Sequence, residues 1–295
     1  MASATDYLLR TQNADGGWGY RAGGMSYVEP TAAVIFALRQ AQGKLLRNDD
    51  ARILSEVEGR ARDFLLSIQR ADGGWGIGAL DAESGWMTAW AVRALNQFAD
   101  ASDATARGVQ WLIDTEGLRV TDAQDRAIIY QRLQIDSTLR GWPWQRGDAA
   151  WVHPTALAIL ALSEAGKRNE PRIRDGIVYL FDRAVARGGW NIGNPEMLDK
   201  PVPATIQDTA ITLLALRAAG ESAGDAHIAK GIQFLRDQLA GAKTPAELTW
   251  GIYALRGQGD DLADALARLV ALQSADGSWQ GNPFITAIAA TGSQK

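Results

Sequence analysis

Apolar positions along the chain fall into two alternating kinds of run. In the first kind they recur at helical spacing with charges between them, as in Phe64, Leu65 and Ile68, or Ile173, Ile177, Leu180 and Phe181. Such segments cover roughly 4–12, 52–70, 103–114, 170–186, 226–239 and 260–273, and each predicts a helix with one solvated face. Runs of the second kind are apolar on nearly every side: Ala32–Leu38, Ala89–Leu95, Ala156–Leu162 and Ala210–Leu216. A helix without a polar face has to be buried all round.

Each buried run opens on a Thr-Ala or similar step: Glu29-Pro30-Thr31-Ala32, Trp86-Met87-Thr88-Ala89, His153-Pro154-Thr155-Ala156, Gln207-Asp208-Thr209-Ala210, Glu247-Leu248-Thr249-Trp250 and Phe284-Ile285-Thr286-Ala287. Pro30 and Pro154 suit the first turn of a helix, where the missing N–H has no intrahelical partner to lose. Amphipathic segments end on a Gly-rich cluster that supplies a left-handed cap. That cluster recurs almost verbatim as Gln12-Asn-Ala-Asp-Gly-Gly-Trp18, Gln69-Arg-Ala-Asp-Gly-Gly-Trp75 and Gln273-Ser-Ala-Asp-Gly-Ser-Trp279. Shortened copies are Gly141-Trp142-Pro143-Trp144 and Gly188-Gly189-Trp190. The order is half-exposed helix, Gly/Trp turn, loop, buried helix, repeated along the chain. Six such pairs imply two concentric rings, an all-α α6/α6 toroid. No Pro/Ser-rich linker divides the sequence, so residues 1–295 read as one domain.

The repeats account for two oddities of composition, 11 Trp and 31 Gly in 295 residues. The rest narrows the function. Thirty basic against 34 acidic residues give a net charge of −4. No Lys/Arg block provides a footprint for nucleic acid. The absence of Cys removes disulfides, thiolate metal sites and Cys nucleophiles. With two His, at 153 and 227, poly-His metal sites are also out. The N-terminus lacks the charged-then-apolar layout of a signal peptide, and the apolar runs are too short for a bilayer. A cytoplasmic protein is expected.

The Gln-x-x-x-Gly-x-Trp repeats resemble the QW motifs of the squalene–hopene cyclase and protein prenyltransferase superfamily. The resemblance implies a toroid whose central cavity holds an isoprenoid, with peripheral membrane contact as a route of entry. The QW residues themselves read as stabilising, Gln bonding exposed helix-end groups and Trp stacking on a neighbouring helix. Superposing the Thr steps places Glu29, Trp86, His153, Gln207, Glu247 and Phe284 in a ring two residues before each Thr. Class II terpene cyclases open an inner helix with Asp-x-Asp-Asp-Thr-Ala, whose middle Asp protonates the substrate. The matching stretch here is Thr205-Ile206-Gln207-Asp208-Thr209-Ala210. Asp208 is retained, and the general-acid position holds Gln207, an amide. The prenyltransferase zinc set of Asp, Cys and His has no counterpart: the Cys position is Thr31. Glu29, His153 and Glu247 would make a poor zinc set. Thus no cofactor is expected, and magnesium enters only with a diphosphate substrate.

The candidate catalytic residues are Asp208, Glu29 and His153. Candidate cavity residues are Trp86, Trp151, Gln207, Glu247, Phe284 and Tyr27, since aromatic faces stabilise cations. Each has a plainer alternative. Asp208, Glu29 and Glu247 suit helix N-termini, His153 can bond its loop, and large aromatics can simply fill a core. Asp260-Asp261 reads as acids at the start of the last half-exposed helix, and Asp122-Ala-Gln-Asp125 as part of a loop or short helix. Three functions fit: a terpene cyclase-like isomerase or lyase acting by protonation, a toroid that binds a lipid without catalysis, and a protein-interaction scaffold. The resemblance favours the first.

Overall fold

The computed structural model describes residues 3–42, 48–197 and 200–293, with side chains left aside at 42 and 48–50. It is almost wholly helical. The six half-exposed segments form α1 (Ala4–Arg10), α3 (Asn48–Ser67), α5 (Ser102–Asp114), α8 (Pro171–Asp182), α10 (Ala226–Leu239) and α12 (Ala263–Ala271). The six Thr steps open α2 (Val28–Gln42), α4 (Met87–Leu95), α7 (Val152–Glu164), α9 (Ile206–Ala219), α11 (Pro245–Leu255) and α13 (Pro283–Ser293). All twelve expected helices are present. Of α6 (Ala123–Leu133) the sequence offered only a loop or short helix at 122–125, and it did not signal the short hairpin β1 (Glu196–Met197) and β2 (Lys200–Pro201). No helix among the described residues is long and apolar enough to cross a membrane.

Two compact units make up the chain. One comprises residues 1–111, 243–249 and 262–295; the other comprises 112–242 and 250–261. In the first unit α2 packs between α13 and α4, with α1 and α3 laid against them. In the second, α7 lies along α9, and α8 and α10 cover them. Every residue of α7 from Val152 to Ser163 is buried, as its lack of a polar face requires.

One device joins five of the six half-exposed helices to their buried successors. The Trp of the Gly/Trp turn is fully buried at positions 18, 75, 142, 190 and 279. Its indole N–H donates to the carbonyl of Leu8, Leu65, Leu112, Leu180 or Leu269, at 2.6–2.9 Å. In four of the five repeats that Leu lies in the last turn of the half-exposed helix just before the turn, and Leu112 lies likewise near the end of α5. Its backbone N–H donates to the step Thr: Trp18 to Thr31 (3.0 Å), Trp75 to Thr88 (2.9 Å), Trp142 to Thr155 (2.8 Å), Trp190 to Thr209 (2.9 Å) and Trp279 to Thr286 (3.0 Å). An orphan helix-end carbonyl and a buried N–H are both satisfied by one residue pair. Where the motif keeps its Gln, the amide bonds the turn, Gln273 donating to Gly277 O, and in the first two repeats it also reaches the next half-exposed helix: Gln12 donates to Gly16 O and Val57 O, and Gln69 to Gly73 O and Ala104 O. The third repeat lacks that Gln. Buried Arg172 of α8 lies over the Trp142 ring and donates to the carbonyls of Thr115, Arg140 and Gly141. Burial, with Arg140 alongside, lowers its pKa to about 10.

The expected turn is missing from one pair. α10 ends at Leu239 and α11 begins at Pro245, with no Trp in between. Thr249 is fully buried like its counterparts, yet its hydroxyl has no hydrogen-bond partner. Asp260 also departs from its expected place. It lies before the Leu262 cap of α12 and forms a two-point ion pair with Arg236 of α10, at 2.6 and 3.2 Å. Asp122 is the N-cap of α6, accepting from the N–H groups of Gln124 and Asp125.

Candidate functional site

Because the step Thr residues are anchored to Trp, the residue two positions earlier is held at the mouth of its helix. The backbone of the residue four positions earlier is fixed too. The N–H of Tyr27 donates to Trp18 O and that of Trp151 to Trp142 O. The next residues, Val28 and Val152, donate to Ile77 O and Ile192 O in the following loops. Side chains at these starts are therefore free to differ between repeats while the scaffold stays the same.

In the second unit, this brings together two candidates that lie 55 residues apart. His153 Nδ1, in the first turn of α7, is 3.3 Å from Asp208 Oδ1, in the first turn of α9. The imidazole is buried and stacks on Trp144, centroids 5.7 Å apart. The Asp208 side chain is 16% exposed. Its second oxygen accepts from the hydroxyl of Thr205, the N-cap residue, at 2.8 Å, and Thr205 Oγ1 in turn accepts from Asp208 N–H. The carboxylate thus closes a helix cap on one side and meets an imidazole on the other. The side chain of Gln207 is exposed beside them. Trp151, half-buried, is the N-cap of α7 and lines a neighbouring cleft.

A different cluster occupies the first unit. Glu29, half-buried in the first turn of α2, accepts from the Tyr20 hydroxyl at 2.5 Å. Burial, and then the adjacent Glu29 carboxylate, push the Tyr20 phenol far above the usual tyrosine range, so it stays a donor. Around it run Tyr27 at 5.4 Å between centroids, Phe284 edge-on at 6.0 Å, and Trp90 edge-on to Phe284 at 6.1 Å. The Trp90 indole N–H is buried without a partner. Trp86 is half-buried at the N-cap of α4. Glu247 has other work: its carboxylate accepts from the N–H groups of Lys243 and Thr244 and from the Thr244 hydroxyl, a reciprocal cap on α11. Those backbone bonds hold its pKa below the ordinary carboxylate value. No group of three or more His, Asp or Glu side chains is placed to hold a metal among the described residues.

Sequence reasoning reached His153 and Glu29 through the register of the Thr step, and Asp208 through the resemblance of residues 205–210 to the class II cyclase motif. It missed Tyr20, which follows the QW Trp by two residues, the place that Trp144 holds against His153 in the second unit. It also missed Thr205 as the second partner of Asp208, although a Thr three residues before an acid is a cap signature.

Comparison with known proteins bears out the resemblance carried by the QW repeats. Residues 1–125 match the squalene-hopene cyclase C-terminal domain family. The squalene–hopene cyclase of Bradyrhizobium diazoefficiens is 37% identical over 128 residues, 39% of this chain and 18% of that protein. That of Zymomonas mobilis is 28% identical over 239 residues, 75% of this chain and 34% of that protein. The chain therefore spans about a third of the length of these curated relatives or less. Among solved structures, a variant of the type II terpene cyclase MstE from Scytonema, in complex with its substrate geranylgeranyl dihydroxybenzoate, superposes with a TM-score of 0.64 at 16% identity. The match covers 98% of this chain and 94% of that one. The fold is thus the α/α toroid of the terpene cyclases.

Proposed function

We propose that this terpene cyclase-like domain, homologous to the squalene–hopene cyclases, binds an isoprenoid and isomerises it by protonating an alkene, with Asp208 as acid and His153 as its partner. The observation that carries the reading is the 3.3 Å contact between His153 Nδ1 and Asp208 Oδ1 at the mouths of α7 and α9. In the step, the π pair of a trisubstituted C=C takes the proton from the Asp208 carboxyl. A C–H bond forms, a tertiary carbocation is left, and the carboxylate keeps the O–H pair. Ring closure moves the cation along the chain, a C–H proton is lost to water to give a neutral product, and water returns a proton to the Asp208 carboxylate, so the net change is isomerisation. An alkene is a very weak base, so the acid must be poised by partners; the imidazole and the Thr205 hydroxyl are the groups available to Asp208. Glu29 with Tyr20 is the second candidate acid, beside aromatic faces suited to a cation. The isoprenoid class is supported by the likeness to MstE, whose complex holds a geranylgeranyl substrate. Delivery of so apolar a molecule implies contact with a membrane surface.

A second reading is a toroid that binds an isoprenoid without converting it. It is favoured by a specific observation: both Asp208 oxygens already have partners, and the position before it is an exposed amide. One set of assays separates the two. On squalene, oxidosqualene and geranylgeranyl diphosphate, wild type should give cyclised product, Asp208→Asn none, and His153→Gln at least a hundredfold less, with ligand binding kept in both. Gln207→Asp should raise turnover by adding the missing carboxyl. If wild type and Gln207→Asp are both inert yet bind ligand, the binding reading holds and the catalytic one falls.

A further inference from the structure

The helix α6 is an addition to the repeat, inserted between α5 and α7. Not one of its 11 residues is buried. Ile128 and Tyr130 are 50% and 60% exposed. Only Ile129 and Leu133, four residues apart and so on one face, are partly covered. Helices of this length are marginal unless an apolar face is packed. What those two side chains face is an open cleft of about 260 Å³ within the second unit. Its other walls include Leu118, Val120, Leu139 and Trp151. The floor is rigid: Tyr179 donates to Ala150 O, and Ser137 to Val120 O.

Two features define what the cleft can take. The charged group on its wall, Arg183, is buried, paired with the Asp182 carboxylate, lies over the Tyr179 ring and donates to Asp136 O. Its charge is already compensated, so the site offers nothing to a diphosphate or carboxylate. Asn194 differs. Its backbone N–H donates to the Asn191 side chain and its carbonyl accepts from it, which fixes the loop at the cleft edge. Its amide side chain is left to donate to or accept from a ligand oxygen. The enclosed volume equals roughly nine waters at ~30 Å³ each, room for about ten heavy atoms of an apolar body whose remaining length would lie along the open mouth.

We propose that the cleft under α6 is a binding site for a neutral, largely apolar molecule with a single hydroxyl or carbonyl, and that its occupant supplies the packing α6 lacks. The site goes beyond the acid pair and does not depend on it. The probe is farnesol, with farnesyl diphosphate as its charged counterpart, titrated into the full chain and followed by hydrogen exchange of 118–135. Farnesol should slow exchange of α6, and farnesyl diphosphate should do so at least tenfold more weakly. Leu133→Trp, which fills the cleft from α6, should weaken farnesol binding at least tenfold with the helical circular-dichroism spectrum unchanged. Asn194→Leu, at the cleft edge, should weaken farnesol severalfold and leave the binding of farnesane, its hydrocarbon analogue, unaffected. Asp208→Asn should leave protection of α6 intact, which separates failure here from failure of the catalytic reading. Equal protection by the two probes, or farnesol binding undiminished in both Leu133→Trp and Asn194→Leu, would overturn the proposal.

Discussion

The pairs α5–α7 and α10–α11 make the same turn from a half-exposed helix to a buried one by different means. The first runs through Trp142, whose indole closes the end of α5 and whose N–H holds Thr155. The second crosses in five residues with no Trp, and Thr249 is buried with its hydroxyl unpartnered. In its place α11 is started by the Thr244–Glu247 cap. A short connection fixes the helix ends by its length; a long one has to be tied down by side chains. The price of a long loop is the lock, and its return is a helix mouth where His153 can be presented to Asp208.

Removing the lock should have the largest effect. Trp142→Ala deletes a fully buried indole, the carbonyl contact at Leu112 and the surface under Arg172, and should cost about 3–5 kcal/mol in denaturant unfolding. Thr155→Val keeps the shape and leaves the Trp142 N–H without an acceptor, so a loss of about 1–3 kcal/mol is expected. The same change at Thr249 removes a hydroxyl that bonds nothing. Thr249→Val should be neutral or stabilise by about 1 kcal/mol. Equal losses at the two positions would break the comparison. Gly176→Ala tests how closely the lock is packed. A Cβ there would meet Trp142 Cζ3 at 2.7 Å and Ile159 Cδ1 at 3.0 Å, and overpacking of this kind costs about 1–3 kcal/mol.

The smallest effect concerns the cap that replaces the lock. Glu247 has its pKa lowered by backbone N–H bonds, so its contribution is complete above the unfolded carboxylate value of about 4.3 and fades as pH falls through the lower folded value. Glu247→Gln should cost about 0.5–1 kcal/mol at pH 7, with the difference from wild type shrinking below pH 4. A deficit that stays constant from pH 7 to pH 3 would mean that charge has no part in the cap.

The locks explain why so much of the fold was legible. Trp, Gly and Thr recur at fixed places because one hydrogen-bond geometry is rebuilt at each turn, and a rebuilt geometry repeats its residues. The contact between His153 and Asp208 was half legible. The register of the Thr step singled out position 153 and the resemblance to the cyclase motif singled out 208, but nothing in the chain said that they face each other at 3.3 Å. Tyr20 beside Glu29 was not legible, since the place two residues after the Trp changes residue type between repeats and takes its role from its neighbours, here Glu29, Tyr27 and Phe284.

By itself, the sequence determined twelve helices, their order, which of them are buried, and a resemblance to the squalene–hopene cyclases. Those properties depend on periodicity and on local turn chemistry, which act over a few residues. Tertiary structure decided the rest: that Asp208 is shared between Thr205 and His153, that Glu247 is spent on a cap, that Arg172 stands in for an absent Gln, and that α6 covers a cleft it does not fill. Each of these is a contact between segments tens of residues apart or a choice among partners for one polar group. A side chain with several acceptors in reach takes the one that packing brings close, and packing is a property of the folded chain.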